Sequence, residues 1–244
     1  MAQPYMIREK AALVTGASRG IGRAIALRLA AEGALVAATA RSEEQLRQLQ
    51  QEITATGGQL YPIAADLAAP DSPPQIVAQT VAQFGRLDML INNAGIAVSA
   101  PLLETSLAQW DRLMAINARA PFLLCQAAIP YMKAAGGGTI IQIASVNSVK
   151  GYIHQGAYSA SKHALMGMSK VLAQEVQADQ IRVHTILPGG VATEMLAQMR
   201  PDLEKSTLMA PEEIAEIVLF LLTHRGNAVI DDIHVRRASA APWF

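Results

Sequence analysis

A chain of 244 residues is long enough for one α/β domain with a substantial core, and 1–244 reads as a single domain with an N-terminal extension (1–9) and a C-terminal tail (236–244). Twenty basic side chains against twenty acidic ones leave no net charge, which removes the attraction that nucleic acid or an anionic membrane would require. Cys125 is the single cysteine, so an intramolecular disulfide is excluded, and no uninterrupted apolar run reaches the ~18 residues of a bilayer span; the expectation is a soluble, cytoplasmic protein.

Short apolar runs alternate with longer helical patterns along the chain. The runs are KAALVTG (10–16), ALVAATA (34–40), LYPIAAD (60–66), LDMLINNAG (87–95), GTIIQIAS (138–145), IRVHTILPGG (181–190) and NAVIDDIHV (227–235). The first six are apolar throughout rather than alternating, as buried parallel strands are. Helical patterns fill 20–32, 42–56, 71–84, 106–134, 156–178 and 211–223, with the PDSPPQ cluster (70–75) as a helix-start loop. The expected fold class is α/β: a Rossmann-type, doubly wound parallel sheet of seven strands with helices on both faces.

TGASRGIGRAIALRLA opens a helix directly after the first strand. Gly16, Gly20 and Gly22 there allow a tight turn and close backbone approach to a pyrophosphate at the helix N-terminus, with Ser18 and Ile21 beside it, although an ordinary strand-to-helix turn uses glycine too. The second strand ends in Ala40, where an NAD site carries a carboxylate for the ribose hydroxyls. Arg41 and Arg19 could instead pair with a 2′-phosphate, which favours NADP(H), or could be solvated on the rim. Asp66, with Leu67 next to it, either accepts a bond from an adenine amino group or caps the next helix. In NNAG (92–95), Asn93 can tie neighbouring loops while Ala94 and Gly95 leave space for a flat ring.

In QGAYSASKHALMG (155–167), Tyr158 and Lys162 stand four residues apart on one helix face, where the ammonium favours the phenolate and would lower the tyrosine toward neutral pH. Asn117 lies four residues before Pro121, whose missing N–H leaves the Asn117 carbonyl free to accept from water. Cys125, in FLLCQAAI, reads as a core residue, and His163, His184, His224 and His234 show no metal-ligand spacing.

TGASRGIG, NNAG, Ser145 thirteen residues before Tyr158, YSASK and PGGVAT together resemble the short-chain dehydrogenase/reductases over about residues 8–235, in their single-domain branch. The resemblance implies a tetrad of Asn117, Ser145, Tyr158 and Lys162. Tyr158 would exchange a proton with the substrate oxygen while the nicotinamide exchanges hydride. Ser145 would hold the carbonyl, Lys162 would also bond the nicotinamide ribose, and the Asn117 carbonyl would order a water in a proton route. Pro188, Gly189, Val191 and Thr193 would hold the carboxamide end of the ring. Val146, Asn147, His154 and Gln155 are candidates to touch substrate, with exposure at a loop an equal reading of His154 and Gln155; Met195, Leu196 and Met199 of a lid suggest an apolar wall, with helix packing against the body the equal alternative.

The chain is similar to 3-oxoacyl reductases, so the expectation is NADPH-dependent reduction of a ketone or aldehyde, a 3-oxoacyl thioester or small ketone foremost. Sugar, polyol or steroid alcohol oxidation is the alternative, and a non-catalytic NADP-binding sensor or scaffold is the alternative of another class. Relatives usually form homotetramers, or dimers, which is the expected partner besides the small-molecule substrate. Two departures stand out: the tail reads HVRRASAAPWF where many relatives have a terminal Gly-Gly, and AAGGG (134–138) and QADQ (177–180) lack the arginines of carrier-protein-dependent relatives.

Overall fold

The strands before the last follow from apolar chain segments. In the computed structural model, which describes residues 6–242, the strands are β1 (Ala11–Thr15), β2 (Leu35–Ala40), β3 (Gln59–Ala64), β4 (Met89–Asn92), β5 (Gly138–Ile143), β6 (Ile181–Pro188) and β7 (Asp232–Val235). β7 alternates exposed Asp232 and His234 with half-buried Ile233 and Val235. All pair in parallel, in the order β3-β2-β1-β4-β5-β6-β7, with Leu13 of β1 opposite Ala37 of β2 and Leu90 of β4. Every residue of β1, β4 and β5 is buried, as strands covered on both faces must be. Parts of the extension and the tail, residues 1–5 and 243–244, lie outside the described residues; within the extension, Ile7 is buried in the core.

The helices are α1 (Gly20–Ala31), α2 (Glu43–Ala55), α3 (Ser72–Phe84), α4 (Leu107–Met114), α5 (Ala120–Ala134), α6 (Gly156–Glu175), α7 (Glu194–Met199) and α8 (Pro211–Thr223). Side chains of β1 alternate between two cores. Val14 packs with Ile25, Leu49 and Ile214 of α1, α2 and α8, while Leu13 packs with Ile76, Leu124 and Leu172 of α3, α5 and α6. The doubly wound sheet of seven strands is therefore as expected.

Three boundaries differ from the sequence reading. β4 stops at Asn92 rather than 95, because the Asn93 N–H donates to Thr15 Oγ1 (2.9 Å) and its side-chain amide to the Thr15 carbonyl (2.8 Å), which turns the chain across β1. β7 begins only at Asp232; the segment before it is a loop, next to the turn where Arg182 donates to the carbonyls of His224 and Gly226 (3.0 and 2.7 Å). The helix expected over 106–134 is interrupted by a π-helical turn, Ala115–Arg119, in which the Ala120 N–H reaches the Ala115 carbonyl. Pro121 has no N–H to offer the next carbonyls, and a wider turn accommodates the missing donor.

Leu107–Ala134 is the one stretch among the described residues long and apolar enough to cross a membrane, and half of that apolar window is buried inside the protein. Its buried face, including Leu113, Leu124, Ala128 and Met132, belongs to the core.

A buried carboxylate clamps the sheet. Asp88 accepts the Ala11 N–H (2.9 Å) and both forks of Arg86 (2.7 and 2.6 Å), with Lys10 at 3.7 Å. Asp88→Ala leaves the Ala11 amide at the start of β1 without its acceptor, and a loss of about 2–4 kcal/mol in urea unfolding is expected.

Candidate active site

The C-terminal ends of the strands converge on one cleft of about 630 Å³, at the side of the sheet where the strand order reverses between β1 and β4. After β1 the chain turns through Gly16, at φ +65°, where a Cβ would come within 2.8 Å of Ala94 Cα. Gly22, in the first turn of α1, is closer still: a Cβ there would overlap the Gly16 carbonyl oxygen and the Asn93 amide. Only hydrogen fits at these two positions, so a flat backbone surface carrying the N-terminal amides of α1 faces the cleft. A nucleotide pyrophosphate fits this cradle.

Around the cradle, Ser18, Arg19, Ile21, Arg41, Asp66 and Leu67 line the cleft beside α1 and the ends of β2 and β3. Arg41 is exposed, and Ser42 beside it caps α2 by accepting the Gln45 N–H (3.3 Å). Arg19 is already paired with Glu194 at the start of α7. Asp66 accepts the Ala68 N–H (3.0 Å) in a tight turn and does not cap α3, whose flanking residue is Asp71. Asn93 lies where it ties two loops, and Ala94 and Gly95 line the cleft.

The chemistry-bearing residues meet at the end of β5. Tyr158 and Lys162, on α6, and Ser145, just past β5, are all buried in the wall of the cleft. The Lys162 ammonium sits 6.0 Å from the centre of the Tyr158 ring and donates to the Ile143 carbonyl (3.0 Å). Burial lowers the lysine to about 8. It also raises the Tyr158 phenol above its ordinary value, with the hydrogen-bonding Ser145 side chain working in the opposite direction. The expected lowering of the tyrosine is therefore corrected: removal from water outweighs a cation whose nearest hydrogen-bond partner is a carbonyl of β5. At neutral pH the phenol is held as an acid that has kept its proton.

Ser145 is oriented by the loop it begins. Its hydroxyl donates to Asn147 Oδ1 (3.2 Å) and accepts the Asn147 N–H (3.2 Å). The Asn147 amide in turn donates to Gln155 Oε1 (2.9 Å) and Ser159 Oγ (3.0 Å). Asn147 and Gln155 border the cleft, but their polar atoms are engaged in holding Ser145 against α6. Asn117 lies outside the cleft lining. Its side chain binds both the N–H and the carbonyl of Ile96 (2.9 Å each) and Ser161 Oγ (3.0 Å), fastening the loop after β4 to α6.

Of the two readings open for His154, contact with substrate or exposure at a loop, the structure shows the second. The residue is exposed at φ +64° and outside the cleft, with its carbonyl accepting the Ala100 N–H (2.8 Å), so the left-handed turn carries its side chain away from the site. Tyr152, two residues earlier, lines the cleft instead.

On the opposite wall, Pro188 ends β6, Gly189 and Val191 follow it, and Thr193 caps α7 by accepting the Leu196 N–H (3.2 Å). Met195, Leu196 and Met199 of α7 face the cleft, and Met199 packs against the cluster of Leu113, Ala157 and Tyr158. Sequence reasoning missed Tyr152, Arg200, Arg236 and Arg237, all in the lining. Cys125 is buried away from the cleft, its thiol pushed up to about 12 by burial, and no cluster of three potential metal ligands occurs among the described residues.

A doubly wound sheet with a glycine cradle after β1 and a Ser–Tyr–Lys cluster after β5 defines an oxidoreductase built on a dinucleotide fold. The short chain dehydrogenase family matches residues 10–204, and the chain belongs to that family. Curated relatives include a 3-oxoacyl-[acyl-carrier-protein] reductase of Thermotoga maritima, 33% identical over 92% of this chain and 94% of that protein. D-threitol dehydrogenase of Mycolicibacterium smegmatis is 39% identical over 89% of this chain and 87% of its own length. A metagenomic short-chain oxidoreductase, solved in complex with NADP, superposes with a TM-score of 0.85 at 37% identity, covering 97% of this chain and all of that one.

Proposed function

We propose that the protein is an NADPH-dependent reductase that converts a ketone or aldehyde to its alcohol. The observation that carries the reading is the meeting of Ser145, Tyr158 and Lys162 in one buried cluster across the cleft from the glycine cradle. NADP, the ligand of the metagenomic relative, is the cofactor, and its reduced form would supply hydride from the nicotinamide ring. The protein's own part is proton delivery and charge stabilisation. The Ser145 hydroxyl, held at the cleft wall by Asn147, has one proton, and turning it from Asn147 Oδ1 to the substrate carbonyl oxygen places a donor where negative charge develops. Tyr158 donates its proton to that oxygen, and a phenol that stays protonated at neutral pH suits the reducing direction. Lys162 compensates the phenolate left behind, and the Asn117 carbonyl, without a donor from Pro121, is the expected acceptor for a water returning the proton.

A 3-oxoacyl thioester or a small ketone is the favoured substrate. The similarity to D-threitol dehydrogenase supports polyol oxidation as the second reading. Reduced-nicotinamide absorbance followed across a ketone and polyol panel tests both: turnover of no compound despite tight NADPH binding would leave a sensor instead of an enzyme. A homotetramer belongs to the same proposal, supported by exposed Trp110, Phe122 and Tyr131 on α4 and α5 and Val171 on α6.

Cofactor choice rests on Arg41, since Arg19 is shared with Glu194. Arg41→Ala is expected to lower the ratio of NADPH to NADH affinity by about 10- to 100-fold, the effect of losing charge-assisted bonds to one phosphate. Titrating both cofactors by fluorescence checks it, and an unchanged ratio removes the 2′-phosphate role.

A further inference from the structure

The tail after β7 brings a cation into the cleft that the reductase chemistry does not use. Gly189 N–H donates to the Val235 carbonyl (2.7 Å), so the chain leaves the sheet alongside the Gly189–Gly190 loop, and the next two residues are Arg236 and Arg237. Arg236 is consumed in shaping that turn: its guanidinium donates to the carbonyls of Arg237 (3.1 Å), Ala238 (3.3 Å) and Ala240 (2.8 Å). Arg237 lies across Gly190, where a Cβ would come within 2.8 Å of Arg237 Cδ. Its guanidinium is half-buried, lines the cleft and donates to Thr207 Oγ1 (3.1 Å) beside the lid.

Charge at this end of the cleft does not cancel. Arg200 is held in a double fork by Asp202 (2.7 and 2.6 Å), and Arg19 by Glu194. Of the other carboxylates of the lining, Asp66 accepts the Ala68 N–H after β3, and Glu212 sits in the first turn of α8, where the helix N-terminus favours it. No carboxylate stands within ion-pair distance of Arg237 among the described residues; Asp202, already forked by Arg200, is the acid that feels its charge, and a guanidinium with one hydroxyl partner keeps donors for a planar anion. The path from this cation to the reacting centre is continuous. Arg237 covers Gly190, a Cβ placed on Gly189 would lie 3.9 Å from Val146 Cγ1, and Val146 adjoins Ser145.

We infer that Arg237 recognises an anionic group on the substrate, a carboxylate or phosphate separated by a short chain from the carbonyl held at Ser145, so that the substrate class is a charged oxo compound. Met195, Leu196, Met199 and Val146 would cover the intervening carbons. The inference rests on the reductase reading for the position of the carbonyl, so its test reads binding rather than turnover.

The test is calorimetry on the full chain saturated with NADP⁺, using levulinate against its methyl ester and dihydroxyacetone phosphate against dihydroxyacetone. At least one anion is expected to bind about 10-fold or more tightly than its neutral partner, which identifies the head group, and Arg237→Gln is expected to remove that preference while leaving NADP⁺ and neutral-ligand affinity unchanged. Arg237→Lys, which retains charge without the fork, should restore part of it. Equal affinity for anion and neutral partner in both pairs overturns the inference, as does a preference that survives Arg237→Gln. A loss of NADP⁺ affinity in Arg237→Gln also overturns it, by assigning the guanidinium to the cofactor. Failure of the reductase reading would appear separately, as absent turnover with the binding preference intact.

Discussion

Tyr158→Phe is expected to bind NADPH as wild type does and to reduce carbonyl compounds about 10²- to 10⁴-fold more slowly, the range ascribed to a positioned general acid. The loss should fall on kcat rather than KM, because the hydroxyl acts on an oxygen that becomes basic only as hydride arrives. The fold gives little reason for a structural side effect. The ring keeps its packing against Leu113, Ala157 and Met199, and the removed oxygen is a buried polar atom whose interacting neighbour, Ser145, retains both of its bonds to Asn147. Single-turnover absorbance with saturating NADPH separates binding from chemistry, and a variant that reduces ketones at the wild-type rate eliminates Tyr158 as the proton donor.

Lys162→Met is expected to abolish most turnover and yet to make the cofactor-free protein more stable at pH 7. The lysine is buried, and its partner is the Ile143 carbonyl rather than a carboxylate, so folding opposes its charge and brings it from 10.5 down to about 8. Between those values the unfolded chain binds the proton and the folded chain does not, so stability rises with pH through that window. Below pH 8 the folded protein carries the full cost, roughly 3 kcal/mol by the separation of the two values. Losing the donor to Ile143 offsets about 1 kcal/mol of the gain. Urea unfolding should therefore favour the methionine variant by about 1–2 kcal/mol at pH 7, with the difference vanishing or reversing near pH 10.5. A variant less stable at pH 7 by the same amount as at pH 10 would show that the cation is not the destabilising element.

The sheet was legible because each strand before the last is a short apolar run, and the doubly wound topology followed from their alternation with helices. What escaped was decided by contacts between distant segments. The end of β4 is set by the Asn93 amide on β1, and the break in the long helix at Ala115–Arg119 shows how the backbone accommodates a missing donor that Pro121 announces without specifying. The site divides in the same way. Gly16, Gly22, Tyr158 and Lys162 are local spacings and could be read directly. Arg200 and Arg237 enter through the lid and the tail, and no spacing links them to Ser145. His154 stays between two readings because nearness in sequence to Tyr158 does not reveal the left-handed turn at which the residue is exposed. The sign of the tyrosine shift failed for a related reason: one helix face reveals the neighbouring charge but not the depth of burial.

The strand order β3-β2-β1-β4-β5-β6-β7 contains no hairpin, so every neighbouring pair is joined through an intervening helix or a longer detour. Loop closure must precede each pairing, and the cleft comes into being only when the ends of β1, β4, β5 and β6 are together. Nucleotide affinity is thus a late property of the refolding chain, and a fragment ending before β6 would keep both the glycine turn and the Tyr158 helix in its sequence yet have no opposite wall to close over a ligand.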